Sequence, residues 1–559
     1  MGVNGLWELL RPAGEPRSLV HVAVVDGFEA NINKLRGLRI GIDASIWFYH
    51  AAHGREGENP ELRTIFFRFT RLLEMPFLPL FVFDGPKRPK VKRGKRISQE
   101  QHWMINGMKA MIEAFGFEWR MVQRAIQAPG EAEAELAYLN TVGQIDAVLS
   151  DDVDTFVFGG RMVIRNPSAT LSGNRGHIIR NADGRDDGKH SYVYHADKLQ
   201  THPDIQLTRG GLVLIALLNG GDYHPEGVPG CGPQIARGLA RCGFGEQLLE
   251  AARKHSRDDE RDMAQLQAFL SEWRNAIRQE LRTNSRGYLP RKQATLSQNF
   301  PEDFPDIEVL YLYTNPVTSA TDPSARRTHI PPTWPRDPDV GKIANLCELY
   351  FEWGIKEIII KRFRTVLWDG VVLRALRRSA IELDARISGP PSVVTLSRKS
   401  AKGTPYVGTP VSRIRSWLSS VAPDVNIEDL PREGELVLKI SSTRRHASTD
   451  GLLEYRLEIT PTHLVPLCAA GIQGLRKPAD TTFDVPPSQD ESEDDEGGGE
   501  DGTRNKRVPK PPPDPLSMHR VWIPACIVHV THPNLVEEFE GGAAAKAARK
   551  AAKAAGAGR

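Results

Sequence analysis

Between Ala128 and Phe158 the chain reads APGEAEAELAYLN and, after a short gap, IDAVLSDDVDTFVFG. Two carboxylate groups, Glu131/Glu133/Glu135 and Asp151/Asp152/Asp154, bracket an apolar segment. Carboxylates this crowded raise one another's pKa unless something positive neutralises them. Hard divalent cations such as Mg2+ or Mn2+ do so, and they take oxygen ligands. The chemistry this stretch points to is phosphodiester hydrolysis assisted by two metal ions.

Such a site needs elements that aim the carboxylates at one place. Pro129 suits the first turn of a helix, which the sequence continues through Glu131, Glu133, Glu135 and Ala137. Helical spacing puts Glu131 and Glu135 on one face. Glu133 joins them only if the metals are separate, or if the first turn lets both side chains reach a sheet edge. Acids in a first turn also suit the helix dipole. Ile145 to Leu149 is expected to be a strand. If Ser150 to Asp154 stays extended, Asp152 and Asp154 share a face. Asp151 then points away with Val153, to solvent or behind the ligands.

Two earlier segments repeat a strand-then-acid pattern. Leu38 to Tyr49 (LRIGIDASIWFY) reads as a buried strand carrying Asp43, and Pro79 to Gly85 (PLFVFDG) as one ending at Asp84. The carboxyl edge of a parallel sheet is where ligands gather in open α/β folds. A basic run, Lys87 to Arg96, follows Asp84 directly and can hold a phosphate backbone there. Lys92, Arg93 and Arg96 are the candidates for steering phosphate, with Lys87 and Arg88 beside them. A helix with an apolar face is expected over Trp103 to Phe115, ended by Gly116. Further on, an apolar helix over Leu212 to Leu218 leads to Asp222. A glycine hairpin, GVPGCGPQ, then opens a helix carrying Arg237 and Arg241 on one face. Its N-terminus offers a phosphate site. Gly2 makes a slim leading segment that can pack close to other backbone.

The 559 residues exceed one core, so two or three domains are expected. The net charge of +3 hides segregation between the basic run and Asp490 to Asp501 (DESEDDEGGGED). Five cysteines without a CxxC pair argue against a zinc site or a disulfide framework. No apolar run reaches membrane-spanning length and no signal peptide is evident, so a soluble intracellular protein is expected.

MGVNGLWELL, GIDASIWFYHA, FVFDGPKRP, APGEAEAELAYL, SDDVDTFVFG and GGDYHPEGVPGCGP occur in this order within residues 1–245. Together they resemble the XPG-type structure-specific nucleases. The run FPDIEVLYLYTNPV, Phe304 to Val317, looks like the end of that family's core. The resemblance implies an α/β, PIN-like core with a mostly parallel central sheet and a helix–two-turn–helix element. It implies metal ligands at Asp43, Asp84, Glu131, Glu133, Asp152, Asp154 and Asp222, choosing Glu133 over Glu135. The first four would hold mainly one ion and the last three the other. Lys92 with Arg93 or Arg96 would act on the phosphate. DNA contacts would fall at Gly2, Lys87, Arg88, Gly230, Gly232, Arg237 and Arg241. Two Mg2+ ions are implied, with Mn2+ able to substitute and K+ at the glycine hairpin. Only 46 residues separate Asp84 from Glu131, which looks like the resolvase branch and is similar to fungal Holliday-junction resolvases of the GEN/Yen type. The expected partners are branched DNA, Holliday junctions and 5′ flaps. The chain would be a monomer when free and a homodimer on four-way junctions, with no membrane contact, and would work in the nucleus, possibly shuttling with the cytoplasm. Rival readings are a 5′-flap endonuclease of replication and repair, and a non-catalytic junction-binding scaffold.

The expected division is 1–97 and 98–225 for the nuclease halves and 226–330 for the hairpin element and core end. A helical linker region follows at 340–395, then a small β-rich, chromodomain-like domain over 397–476 plus 516–540. A disordered acidic, proline-rich insert over 477–515 interrupts it, and 541–559 is a basic tail. Within the small domain, Gly434 to Ser442 and Leu453 to Pro461 alternate as antiparallel strands. Val465 to Leu467 is read as continuing them, His519 to Pro533 as a further strand pair, and Asn534 to Glu540 as a short helix.

Overall fold

The computed structural model of the chain describes residues 2–52, 57–96, 103–119, 129–165, 179–323, 332, 334, 336–388, 436–477 and 513–556. The 397–435 part of the small domain and most of the 477–515 insert lie outside them.

The strands of the first sheet are β1 (Glu15–Ser18), β2 (Leu38–Asp43) and β3 (Phe77–Val82). A two-stranded hairpin, β4 (Val91–Lys92) and β5 (Lys95–Arg96), follows. The sheet then continues with β6 (Glu118–Trp119), β7 (Ala147–Leu149), β8 (Met162–Ile164) and β9 (His190–His195). Seven strands lie in the order β1-β9-β8-β7-β2-β3-β6. β8, β7, β2, β3 and β6 are parallel, with β9 antiparallel beside β8 and β1 antiparallel beside β9.

β2 and β3 are apolar and almost wholly buried, as a central parallel strand covered on both faces must be. On one face lie the helices Ala44–Ala51, Pro60–Leu73 and Ile105–Ala114, packed through Trp47, Phe66, Phe69 and Met108. On the other face the helix Ala132–Thr141 comes so close to β2 that Gly41 is required. A Cβ there would sit 2.4 Å from Leu136 Cδ2. This contact fixes the helix that Glu131 caps and Glu133 sits in against the strand that carries Asp43. Trp103, expected on the apolar face of its helix, is instead 58% exposed.

The strand expected over Leu38 to Tyr49 ends at Asp43. The Asp43 side chain accepts from Ser45 N and caps the helix Ala44–Ala51, so the chain turns at the acid. In the region expected as a helical linker, the helices Val340–Tyr350, Lys356–Val366 and Trp368–Ser388 share one apolar core with the sheet. Arg374, fully buried, donates to the carbonyls of Phe77, Leu72 and Met75.

The small domain is a sheet of β10 (Val437–Arg445), β11 (Leu453–Ile459) and β12 (His519–Pro524), all antiparallel. β12 pairs with β11 although 478–512 intervene in the chain. Two expectations here are corrected. Val465 to Leu467 belongs to the helix Leu464–Ala470, because Leu464, Leu467 and Cys468 recur at helical spacing and are buried. The expected second strand after β12 is the helix Ala525–Thr531, which buries Ile527 and Val528. The short helix expected over Asn534 to Glu540 runs on to Gly556 and takes in most of the tail. The domain docks on the sheet edge: Ser18 Oγ donates to Ser448 O at 2.6 Å, and Ser18 N to Asp450 Oδ2 at 2.7 Å.

Candidate active site

Parallel strands deliver their following residues to one edge, and here that edge is acidic. Asp43 ends β2, Asp84 lies just after β3, and Asp152 and Asp154 follow β7. Glu131 and Glu133 open the helix Ala132–Thr141, and Asp222 follows the helix Arg209–Asn219.

The local backbone settles the two questions that spacing left open. Glu131 is not in the helix. It is the N-cap, with extended φ −82° and ψ 143°, so the i,i+4 relation to Glu135 does not apply. Glu135 is fully buried and its Oε2 accepts from Ser319 N at 2.7 Å, which takes it elsewhere. Glu133, Asp152 and Asp154 each offer a carboxylate oxygen, and the three oxygens lie within 4.8 Å of one another. Ser150 to Asp154 is not extended. Asp152 Oδ1 accepts from Asp154 N at 3.0 Å, and a helix starts at Asp154, so the shared face comes from a turn. Asp151, which one reading placed toward solvent, is buried near Arg165, and its carbonyl accepts from Trp7 Nε1 at 2.7 Å. Glu133, expected to share an ion with Asp43, Asp84 and Glu131, thus also lies beside Asp152 and Asp154.

The other acids are held by named donors. Asp43 Oδ1 accepts from Ser45 N at 2.7 Å. Asp84 accepts from Ala132 N at 3.0 Å and Ser45 Oγ at 2.9 Å, and Arg88 Nη1 lies 3.3 Å away. Burial, then the Asp84 charge, pushes the Asp43 carboxyl up to about 8. Burial also raises Glu133 and Asp154, each with Asp152 as the next cause. Clustered buried carboxylates with raised pKa values are groups awaiting positive charge.

Lys92 supplies part of it. Its Nζ is 2.9 Å from Glu131 Oε1, 3.1 Å from Glu133 Oε1 and 3.1 Å from Asp222 Oδ2. Burial alone would lower its pKa, but Glu133, Glu131, Tyr223 and Asp222 outweigh that and hold it well above the usual lysine value. Arg93, in the left-handed region at φ 53°, donates Nε to Asp222 Oδ1 and its backbone N to Asp222 O, both at 2.7 Å. Arg96 lies exposed on β5. Lys87 is paired with the buried Asp322 at 2.6 Å.

Gly2 seats the leading segment against the cluster. At φ 76°, a Cβ there would fall 2.3 Å from Asp154 Oδ1 and 2.4 Å from Asp152 Oδ1. Val3 N donates to Asp154 Oδ1 at 3.0 Å. The glycine hairpin stands apart from the carboxylates. Gly230 has φ 82°, and Gly232 precedes the helix Pro233–Arg241 with nothing near its Cβ position. Arg241 is engaged with Gln206 and lies over the Tyr288 ring at 4.6 Å, while Arg237 is half-buried on the same helix. Sequence reasoning missed Tyr223, whose hydroxyl donates to Glu131 Oε2. Its place directly after Asp222 was the available signal. It also missed Ser45, two residues after Asp43, which bridges to Asp84.

A parallel α/β sheet with buried acids from four separate segments at its carboxyl edge defines a nuclease-type hydrolytic centre. Family models match in three places: XPG N-terminal domain at residues 1–102, XPG I-region at 124–222, and Holliday junction resolvase Gen1 C-terminal domain at 436–541. The chain belongs to the XPG-type structure-specific nuclease family, in its GEN branch. It is 31% identical over 273 residues to Flap endonuclease GEN homolog 1 of Homo sapiens, covering 45% of this chain and 26% of that protein. It is 29% identical over 251 residues to Flap endonuclease 1 of Sulfolobus acidocaldarius, covering 37% of this chain and 68% of that protein. The aligned part thus spans about a quarter of the human GEN relative's length. A solved structure of a eukaryotic junction-resolving enzyme GEN-1 with cesium is 30% identical, covers 97% of this chain and 99% of its own, and has a TM-score of 0.62. The Holliday junction-resolving enzyme GEN1 with product DNA and Mg2+ is 29% identical over the same shares, with a TM-score of 0.61. A GEN-1 structure with potassium gives 29% and 0.62.

Proposed function

We propose that the chain is a metal-dependent, structure-specific DNA endonuclease that resolves Holliday junctions and cuts 5′ flaps and related branched DNA. The observation that carries this reading is the cluster of Glu133, Asp152 and Asp154, with oxygens within 4.8 Å, flanked by Asp43, Asp84, Glu131 and Asp222. An all-carboxylate donor set, mostly buried and with the carboxyl pKa values of Asp43, Glu133, Asp152 and Asp154 raised, fits two Mg2+ ions, with Mn2+ as a substitute. Bound there, the ions would activate water and neutralise charge on the departing oxygen.

The chain's own residues have separate tasks in this reading. Asp43, Asp84, Glu131, Glu133, Asp152, Asp154 and Asp222 hold the ions. Lys92, Arg93 and Arg96, on the β4–β5 hairpin, meet the scissile phosphate. Gly2 and Val3 keep Asp152 and Asp154 in place and close that side to water. Lys87 and Arg88 border the same edge. The turn at Gly230 and Gly232, with Arg237 and Arg241 on the next helix, meets the duplex backbone, with K+ at the turn. The GEN-1 structure with potassium supports the choice of ion. Specificity then comes from DNA shape and backbone contacts. Cutting both sides of a four-way junction needs two copies, so a free monomer assembles as a homodimer on that substrate. The small three-stranded domain is read as chromodomain-like and the site of work as the nucleus.

The test compares a static Holliday junction, a 5′ flap and plain duplex, each with Mg2+ or with chelator. Paired junction cuts that require Mg2+ are expected. Flap cutting without junction resolution would replace this reading with that of a flap endonuclease, the activity named for several relatives.

A further inference from the structure

Residues 315–322, which follow the helix Ile307–Thr314, tie three sides of the acidic edge together. Their root is fixed beside the helix Asp154–Val157: Arg209 donates to Val157 O at 3.2 Å and to Tyr313 O at 3.3 Å. Their middle lies on the glutamate segment. Ser319 N donates to Glu135 Oε2 at 2.7 Å, and a Cβ at Gly130 would fall 2.6 Å from Val317 O. Their end reaches the Asp84 side, where the buried Asp322 pairs with Lys87 Nζ at 2.6 Å. The two turns beneath are joined to each other as well. Gly85 N donates to Gly130 O at 2.7 Å, and Lys87 N to Pro129 O at 3.0 Å. Asp84 and Glu131 thus sit on two paired turns, and residues 315–322 are tied to both.

We propose that residues 315–322 are a positioning strap for the cleavage reaction, with Asp322 and Lys87 as its outer anchor. The strap sets how Asp84 and Glu131 stand to each other, and Lys87 serves it rather than the DNA backbone. This rests on the nuclease reading and adds positioning residues to it. The Asp322 side chain is 4% exposed and that of Lys87 54%. A carboxylate this deeply buried keeps its charge by keeping its cation, so the Lys87 ammonium is committed to Asp322. The strap is also closed on itself. Thr318 N donates to Thr321 Oγ1 at 2.8 Å, and Asp322 N to Thr318 O at 2.9 Å. That turn holds Ser319 N and the Asp322 carboxylate in a fixed relation, so the contact at Glu135 and the anchor at Lys87 act together. Glu135, Asp322 and Lys87 are outside the proposed ligand set, so filling the metal site leaves these ties in place. Glu135→Gln keeps an acceptor for Ser319 N and leaves the strap tied.

The test measures single-turnover cleavage of a labelled static junction by saturating whole protein with Mg2+, and junction affinity separately in chelator. Asp322→Asn and Lys87→Met should each cut about 10- to 100-fold more slowly, with affinity within a few-fold of wild type. The double variant should be no slower than the slower single, because both changes remove one tie. Lys87→Arg, which keeps the charge, should restore most of the rate. Gly130→Ala presses on Val317 O without touching the ion pair and should show the same slow cutting at similar affinity. Thermal melting confirms that each variant is folded. Weaker junction binding in Lys87→Met, with Asp322→Asn at the wild-type rate, would overturn the strap and make Lys87 a phosphate contact. Losses that multiply in the double variant, or a folded Gly130→Ala at the wild-type rate, would overturn it too. A wild type that cuts neither junction nor flap with Mg2+ would instead reject the nuclease reading itself.

Discussion

Gly2→Ala should damage catalysis far more than its cost in backbone strain. An alanine held near φ 76° costs about 1–2 kcal/mol wherever it occurs. Gly143 has φ 73° with nothing within 4 Å of its Cβ position, so Gly143→Ala measures that cost alone. At Gly2 the added Cβ would lie 2.3 Å from Asp154 Oδ1 and 2.4 Å from Asp152 Oδ1. Restoring ordinary contact moves the carboxylates, or the leading segment, by roughly 1 Å. A displacement of that size at reacting groups costs about 100-fold in rate. If the segment yields instead, the Val3 N to Asp154 Oδ1 hydrogen bond is lost, worth about 1.5–3 kcal/mol because the acceptor is charged. The assay is single-turnover cleavage of a labelled junction, with urea melting of both variants. Gly2→Ala should cut about 100-fold more slowly than Gly143→Ala when junction is saturating. Equal rates for the two would refute the idea that the leading segment positions the carboxylates.

Two further outcomes test how the fold is held. His190 sits between Asp187, with Nδ1 to Oδ1 at 3.0 Å, and Asp450 of the small domain, with Nε2 to Oδ1 at 2.8 Å. Burial works against the imidazolium, but the hydrogen bonds to Asp187 and Asp450 outweigh it and raise its pKa above 6.5. A raised pKa stabilises the fold fully below 6.5, and that contribution is lost as pH rises through the folded value. Urea melts of wild type and His190→Gln should therefore converge toward alkaline pH; a difference that grows with pH would reject the link. Arg374→Met removes donors from three buried carbonyls, at 2.7, 3.1 and 3.0 Å, and should cost about 3–5 kcal/mol by urea denaturation. A loss under about 1 kcal/mol would show that the helix Trp368–Ser388 does not depend on this anchor.

Much of the site was legible because strand-end acids announce themselves. An apolar run followed by Asp43, and another followed by Asp84, points to the carboxyl edge of a parallel sheet, while the choice of Glu133 comes from the family resemblance. What the sequence concealed was local backbone. Glu131 is an extended N-cap, so helical periodicity, which pairs it with Glu135, does not hold there. Strand periodicity was carried past Leu149 into a turn, yet it still put Asp152 and Asp154 together, because an aspartate that accepts from the backbone N–H two residues on brings both side chains to one side. The role of Lys92 was hidden for a different reason. It is defined by three carboxylates from two distant segments, and no spacing rule reports that. In the small domain, apolar runs such as PACIVHV are helix or strand by length and alternation alike. Tertiary packing chose helix there.

The central claim is that Glu133, and not Glu135, belongs to the metal centre. It is tested most directly by measuring single-turnover junction cleavage and Mn2+ binding for Glu133→Gln and Glu135→Gln, which keep size and remove charge. Glu133→Gln should slow cleavage by about 100-fold or more and weaken Mn2+ binding, with Glu135→Gln within a few-fold of wild type. Loss of both activities in Glu135→Gln, with Glu133→Gln intact, would contradict the account.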